Sequence, residues 1–286
     1  MTVGTAVEIF EVGPRDGLQN EARAIPTAEK AALVDALSLC GFRRIEAASF
    51  VSPRWVPQMA DGDAVMAAIR RAPGVRYAAL TPNARGYDRA RAAGADEVAV
   101  FAAASEGFSR ANLNAGVRDS LARFAPVVRA ARADGVPVRG YVSVVVECPF
   151  DGAVPPGDAA RVVASLRDLG CYEVSLGDTI GRGTPDAVDR MLAAVLDEMP
   201  PDRLSGHFHD TAGGALANVD VALARGLRVF DAAVGGLGGC PYAPGAAGNV
   251  ATERLLAHLD GAGHETGLDA GRVAEAAALA RGMRGG

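Results

Sequence analysis

Lysine is nearly absent from this chain, because Lys30 is the only lysine among 286 residues. The net charge is −5, and the arginines are scattered without forming a basic block. The sequence therefore lacks the cationic face that nucleic-acid binding requires. It also lacks any apolar stretch as long as a membrane span. We expect no nucleic-acid partner and no membrane partner.

Cysteine is scarce as well and shows no pairing pattern. The four cysteines, Cys40, Cys148, Cys171 and Cys240, form neither a CxxC motif nor a dense framework. Free thiols of this kind are typical of a reducing compartment. A strand-like run begins at Val7, which leaves no room before it for the parts of a signal peptide. The sequence predicts a cytoplasmic protein.

The chain does contain a regular alternation of two kinds of segment. Short β-branched runs alternate with alanine- and leucine-rich segments of helical period, and Thr184-Pro185 is typical of a helix N-cap followed by a first-turn proline. The strand candidates cover residues 7–12, 44–47, 76–80, 97–101, 138–146, 173–176, 204–209 and 229–234.

Eight such units predict an α/β fold, a (β/α)8 TIM barrel formed by one domain over residues 1–286. An open, doubly wound sheet alternates in the same way and is the alternative. We also expect a glycine-rich lid loop at about 235–248 and a frayed tail at about 281–286.

Two of the four histidines lie in the segment Gly206-His207-Phe208-His209. Because side chains alternate across a strand, His207 and His209 point the same way while Phe208 points to the other side. Two imidazoles that face one way at a strand end make half of a metal site. The alternative is a pair of polar rim residues, since short metal motifs often occur without a metal.

Other polar residues follow the predicted strands, where a barrel places its chemistry. Arg15 and Asp16 come after the first strand, Glu46 ends the second, and Asp178 follows the sixth. Arg15 offers a planar donor fork, and Asp16 offers a hard oxygen ligand. The alternatives are a local ion pair for Arg15 and Asp16 and a helix cap for Asp178. Glu46 is either a buried partner of Arg15 or a carboxylate that orients a metal ligand.

After the eighth strand, the glycine-dense loop from Gly235 to Gly245 carries Cys240. The loop does not match the G-x-G-x-x-G pattern, so it gives little support for dinucleotide binding. A thiol on a mobile lid can approach a substrate and move a proton, whereas the alternative is a structural cysteine. Asn249 is predicted to open the last helical region, with Glu253 one turn further along the same face.

Several long segments of the chain resemble the hydroxymethylglutaryl-CoA lyases of the DRE-TIM metallolyase superfamily. They include EVGPRDGLQNE, IEAASFVSPRWVPQMAD, SLGDTIGRGTP, HFHDTAGGALAN and GGLGGCPYAPGAAGNVATE. The resemblance implies a homodimer that cleaves 3-hydroxy-3-methylglutaryl-CoA, or a close 3-hydroxy-3-alkylglutaryl-CoA, to acetyl-CoA and an oxo acid. The family's divalent-metal ligands correspond to Asp16, His207, His209 and Asn249. Its catalytic residues correspond to Arg15, which also contacts substrate, and to Cys240, Glu46, Asp178 and Glu253.

The implied ligand set consists of two imidazoles, one carboxylate and one amide oxygen. These ligands leave positions open on an octahedral cation, which favours Mg²⁺ or Mn²⁺ over tetrahedral zinc. Two other functions remain open. The chain could be another acyl-CoA lyase or a condensing synthase of the same superfamily, or a non-catalytic barrel that binds acyl-CoA.

The chain departs from the family pattern at four positions. Ala212 and Gly214 stand where the family commonly has tyrosine and glutamine, Ala48 replaces a usual threonine, and Glu147 replaces a usual glycine. Lost bulk near the metal end of the pocket would relax the selection against larger groups. We therefore expect the enzyme to accept substrates with a 3-substituent larger than methyl.

The alternation of side chains predicts different effects for three neighbouring substitutions. His207→Ala and His209→Ala should each lose most bound divalent metal, because each removes one of the paired ligands. Phe208→Leu should keep the metal, because residue 208 faces the other side of the strand. Elemental analysis of the purified variants measures the metal, and full occupancy in both histidine variants would rule out the site.

Overall fold

In a computed structural model, the strands close into a parallel barrel. The structure describes residues 5–240 and 243–284. For residues 239–240 and 243–247 it describes the backbone alone. Each strand pairs with its neighbour in sequence, and the last pairs with the first. This confirms the predicted barrel, since an open sheet would leave two unpaired edges. The barrel strands are β1 Glu8–Glu11, β2 Arg44–Ser49, β3 Arg76–Leu80, β4 Glu97–Ala103, β5 Val138–Ser143, β6 Glu173–Asp178, β7 Leu204–Phe208 and β8 Val229–Ala232.

The strand ends differ from the prediction where the backbone leaves the sheet. β5 stops at Ser143 because Val144 has a positive φ of 54° and its N–H donates to Thr179 Oγ1, not to a neighbouring strand. β7 stops at Phe208, while His209 forms an isolated bridge with Asn249.

Helices cover the outside of the barrel. Thr184 caps the seventh helix, as predicted, because its Oγ1 accepts the N–H of Ala187. The helices are α1 Thr27–Leu37, α2 Gly62–Ala68, α3 Ala84–Ala92, α4 Glu106–Leu113, α5 Val117–Ala133, α6 Pro156–Leu169, α7 Pro185–Leu196, α8 Ala215–Ala224, α9 Thr252–Gly261 and α10 Ala270–Met283. Among the residues described, no helix combines the length and apolarity needed to cross a membrane.

Two predicted helix boundaries are wrong. Asn249 does not open a helix, because α9 begins at Thr252 and Asn249 pairs with His209 before it. The expected tail at about 281–286 is also too long. α10 continues to Met283, which is 2% exposed and packs in the core.

The main apolar core lies between the strands and the helices. Outward-facing strand residues such as Val174, Leu176 and Phe208 are buried there. Phe208 therefore faces away from the barrel interior, as the alternation predicted.

The interior of the barrel is charged, unlike the layers of branched apolar side chains that usually fill such barrels. Arg44 donates to Glu173 at 3.1 and 3.2 Å, and Arg139 donates to the same glutamate at 2.6 Å. Arg139 also forms two bonds with Asp231, at 2.6 and 3.1 Å. Because a buried charge must be paired, this column of alternating charges satisfies each arginine. It ends directly below the histidines.

Candidate active site

Three of the predicted metal ligands meet at the C-terminal end of the barrel. His207 comes from β7, His209 follows that strand, and Asp16 comes from the loop after β1. One ligand atom of each residue lies within 4.8 Å of the others. The two Nε2 atoms are 3.2 Å apart, and His207 Nε2 is 3.9 Å from Asp16 Oδ2.

The arrangement of these atoms fits a cation. The two Nε2 atoms face each other, and His209 Nδ1 has no hydrogen-bond partner among the described residues although it is buried. Burial and the neighbouring His207 lower the pKa of His209 to about 4, so its imidazole is neutral at pH 7. Burial would raise the pKa of Asp16, but Arg15 and the two histidines outweigh it and lower that pKa to about 2. The cluster therefore presents one carboxylate and at least one neutral imidazole as ligands.

Asp231 on β8 sets the orientation of His207. Its Oδ2 lies 3.0 Å from His207 Nδ1, so a proton on Nδ1 leaves the Nε2 lone pair facing the cluster. Arg139 and Ser175 also donate to this carboxylate. Burial would raise the pKa of Asp231, but Arg139 and His207 hold it well below its usual range. A carboxylate behind a metal-binding histidine fixes the ring and raises its basicity.

The loop after β1 holds Arg15 and Asp16 by its backbone. Residues Gly13–Gly17 form a single π-helical turn, in which the N–H groups of residues 15, 16 and 17 all point to the Val12 carbonyl. Gly17 is required here, because a Cβ at this position would lie 2.6 Å from Leu237 Cβ in the glycine-rich loop.

Glu46 is the buried partner of Arg15, one of the two roles considered for it. Arg15 Nε donates to Glu46 Oε2 at 2.5 Å, and Arg15 Nη1 donates to Asp16 Oδ1 at 2.6 Å. The guanidinium also lies over the Tyr141 ring, 5.4 Å from its centroid. These contacts hold Arg15 rigidly beside the cluster, although Glu46 Oε1 has no hydrogen-bond partner among the described residues.

Asn249 adjoins the cluster from the other end of the chain. Its Nδ2 donates to Asp16 Oδ2 at 2.8 Å and to the Leu237 carbonyl at 3.3 Å. The amide group would therefore have to rotate before its oxygen could bind a metal. Its position nevertheless joins the loop after β1 to the glycine-rich loop.

A cavity of about 890 Å³ opens above the cluster. Arg15, Asp16, His207 and His209 line it at one end, and Tyr141 forms part of its wall. From Tyr141 the wall continues to apolar side chains, including Phe101 and Phe124. The cavity therefore has a polar end at the cluster and an apolar stretch of wall beside it, a combination common in small-molecule sites.

Three other predicted site residues are placed differently. Asp178 faces outward, where its oxygens accept the N–H groups of Gly183 at 2.8 Å and Arg182 at 3.3 Å. Glu253 accepts the N–H of Gly235 at 3.0 Å, in the glycine-rich loop. Both contacts hold backbone turns, and neither residue lines the cavity. The side chain of Cys240 lies outside the described part of the structure, so its expected role stays a prediction.

The residues that depart from the family pattern lie away from this cavity. Ala212 is exposed, Gly214 precedes α8, and neither is among the residues that line the cavity. Ala48 is buried in the core, and Glu147 forms an ion pair with Arg182. The structure therefore does not support these positions as the basis for a larger pocket.

Sequence reasoning missed Asp231, Arg139 and Tyr141. Asp231 and Arg139 are charged residues inside otherwise apolar strands, Val-Phe-Asp-Ala and Val-Arg-Gly-Tyr-Val. A charge in a buried strand needs a partner, and that pattern could have indicated a polar barrel interior. Nothing in the sequence indicates which strands bring the partners together.

Removal of the Asp231 charge tests its effect on His207. Asp231→Asn should lower the affinity for Mn²⁺ by about 10–100-fold, because the His207 ring loses its carboxylate partner. Isothermal titration calorimetry measures the affinity, and circular dichroism confirms that the variant is folded. Asp220→Asn is the control, since Asp220 pairs with the distant His258. Equal affinities in the two variants would contradict the role of Asp231.

Comparison with known proteins relates the chain to a described family. The HMGL-like family model matches residues 6–280. A Pseudomonas aeruginosa protein named 3-hydroxy-3-isohexenylglutaryl-CoA/hydroxy-methylglutaryl-CoA lyase is 56% identical over 269 residues, which cover 94% of this chain and 90% of that protein. The crystal structure of the Brucella melitensis HMG-CoA lyase is 59% identical, with a TM-score of 0.97 over 98% of this chain and 99% of that one.

A third relative was crystallised with ligands. The structure of an Acinetobacter baumannii HMG-CoA lyase in complex with coenzyme A and 3-methylmalate is 38% identical, with a TM-score of 0.91 over 96% of this chain and 92% of that one. The matches extend over nearly the whole chain and include every strand of the barrel. The chain therefore belongs to the HMGL-like family.

Proposed function

We propose that the protein cleaves 3-hydroxy-3-methylglutaryl-CoA to acetyl-CoA and acetoacetate. The observation that carries this proposal is the cluster of Asp16, His207 and His209 beside Arg15, at the polar end of a cavity large enough for an acyl chain. The lyase names of the relatives from Pseudomonas aeruginosa and Brucella melitensis support it. The coenzyme A bound to the Acinetobacter baumannii relative supports an acyl-CoA substrate.

The metal in this proposal is Mg²⁺ or Mn²⁺. Asp16, His207 and His209 would hold it, and Asn249 would join them after rotation of its amide. A bound divalent cation would supply Lewis-acid polarisation of substrate oxygens.

The reaction is a retro-Claisen cleavage. The 3-hydroxyl loses its proton, the bond between C2 and C3 breaks, and C3 becomes the ketone carbon of acetoacetate. The electron pair passes to C2, so negative charge develops on the thioester oxygen of an enolate. Protonation of C2 then gives acetyl-CoA.

Asp178, Glu46 and His207 are the candidates for the base that takes the hydroxyl proton. Asp178 faces away from the cavity, and Glu46 is paired with Arg15 beneath it. His207 lines the cavity, and Asp231 behind its Nδ1 stabilises the protonated ring. The Nε2 lone pair of His207 is, however, the one that would bind the metal, so the same nitrogen cannot take the proton while the metal is bound, and none of the three is assigned as the base.

Arg15 is proposed to stabilise the enolate oxygen. Its side chain is 6% exposed, and Glu46 and Asp16 hold it in place, so little reorganisation is needed as charge develops. Cys240 is the proposed acid for C2, either directly or through water. Glu253 and Asp178 would act by holding the turns that bear on the site.

We also propose a cellular setting and an assembly. Three of the cysteines are free and buried, which fits a cytoplasmic protein. The homodimer is proposed from the family resemblance alone.

Turnover of a substrate panel tests the function directly. The protein should release acetyl-CoA and acetoacetate from 3-hydroxy-3-methylglutaryl-CoA with Mg²⁺ or Mn²⁺, and chelation with EDTA should abolish turnover. Mass spectrometry identifies the products. The panel includes 3-hydroxy-3-isohexenylglutaryl-CoA, because the Pseudomonas aeruginosa relative is named for it. If metal binds but no member of the panel is cleaved, the chain is a binding protein and the proposal fails.

The second test concerns Arg15. Arg15→Lys should lower kcat by about 10²–10³, because removal of one preorganised donor to a developing oxyanion typically costs that much. Lysine keeps the charge but cannot bond Glu46 and Asp16 with the same fork. Steady-state kinetics measure the effect, and Arg85→Lys is the control, since Arg85 is exposed on α3. Near-normal kcat in Arg15→Lys would show that the fork is not required.

A further inference from the structure

The glycine-rich loop begins with four consecutive residues, 234–237, which we call the loop root. Each of them forms a hydrogen bond with a side chain from elsewhere in the fold. Glu11 accepts the N–H of Val234 at 3.0 Å, and Glu253 accepts the N–H of Gly235 at 3.0 Å. Asn249 and Arg284 donate to the carbonyls of residues 237 and 236. The direction of the backbone at the root is therefore fixed by side chains.

Two of these four bonds depend on α10, which follows the eighth strand–helix unit. Arg284 immediately follows α10 and bonds the Gly236 carbonyl directly. Arg281 Nη1 donates to Glu253 Oε1 at 3.0 Å, while Glu253 Oε2 holds Gly235. The end of α10 is therefore linked to the loop root by one direct contact and one indirect contact.

The packing of α10 agrees with this link. Gly235 has a positive φ of 67°, and a Cβ there would lie 3.1 Å from the Ala277 carbonyl and 3.2 Å from Ala280 Cβ. The facing side of α10 is made of alanines that are at most 1% exposed. Glycine at 235 and alanines on α10 allow the loop root to approach the helix closely, so a shift of the helix end would be transmitted to the root.

The root in turn contacts the proposed metal ligands. The Leu237 carbonyl accepts the Asn249 amide, which also donates to Asp16. Leu237 Cβ packs directly against Gly17, the last residue of the turn that carries Arg15 and Asp16. A displaced root would therefore move two proposed ligands and the turn that holds Arg15.

We propose that Arg281 and Arg284 are positioning residues for the reaction. They fix the loop root and, through Leu237, the placement of Asn249 and Asp16. This inference rests on the proposed function for its effect on turnover, but its effect on the loop root does not require any activity.

Amide hydrogen exchange measures the root itself. In the double variant Arg281→Gln, Arg284→Gln, amides in the peptide that covers residues 233–238 should exchange about threefold to tenfold faster, as the loss of one or two hydrogen bonds predicts. The peptide that covers β7 should exchange as in the wild type. In the same variant, kcat for 3-hydroxy-3-methylglutaryl-CoA should fall by a similar factor of about three to ten while KM changes little.

Two comparisons separate positioning from general stability. Arg272→Gln is the matched control, because Arg272 lies in the first turn of α10 and pairs with Asp269, away from the root. It should show wild-type exchange and kcat, with the same unfolding midpoint as the double variant. The variant Arg281→Lys, Arg284→Lys keeps both donors and should recover most of the lost kcat.

The outcomes distinguish this proposal from the proposed function. Exchange and kcat that match the Arg272→Gln control would overturn the positioning role. Faster exchange in both the root and β7, with a lower unfolding midpoint, would also overturn it, because the effect would then be global. If the wild type cleaves no substrate, the proposed function fails, and the exchange data still decide whether α10 fixes the root.

Discussion

The buried carboxylate of Asp231 is the group on which both the barrel interior and the histidine cluster depend. It accepts two bonds from Arg139, one from Ser175 and one from His207. An unpaired carboxylate at this depth would cost several kcal/mol, so these donors are required for the strand to be buried at all. The same contacts fix the tautomer of His207. The requirement to satisfy a buried charge therefore also orients a ligand.

The charged column below Asp231 fixes the position of that carboxylate without adding to the stability that an apolar interior would give. Replacement of a buried ion pair by well-packed apolar residues is often neutral or stabilising, whereas loss of one partner is strongly destabilising. Arg44, Glu173 and Arg139 lie on three different strands and fit together in one arrangement. Apolar side chains would fill the barrel without fixing the height or direction of Asp231. The column thus gives the upper end of the barrel a rigid polar base.

The strands were predicted well from the sequence, but the contacts between residues of different strands and loops were predicted less well. Strands were found because β-branched runs have a local signature, and His207 and His209 were paired because alternation along one strand is local too. The same alternation applied to β6 would have placed Asp178 with Val174 and Leu176 on the outward face. That step was missed, and proximity to a strand end was taken as proximity to the site.

The contacts between distant segments could not be predicted from one sequence. The partners of Asp231 come from β5, β6 and β7, and their meeting depends on barrel closure and register. Asn249 was assigned to a helix start because its neighbours continue into α9. In the structure its backbone pairs with His209 and its side chain reaches Asp16, 233 residues away in sequence. Local propensity contains no information on either contact.

Glycine in the loop after β8 was interpreted from the sequence as a source of mobility, but the described part of that loop shows a steric need. A Cβ at Gly238 would lie 2.8 Å from Asn249 Nδ2, and a Cβ at Gly17 would overlap Leu237. The loops after β1 and β8 can therefore approach closely only because these positions lack side chains. This approach brings Asp16 within 2.8 Å of Asn249. Glycine at these positions therefore allows two loops to pack closely in one fixed arrangement, and it is not a sign of mobility there.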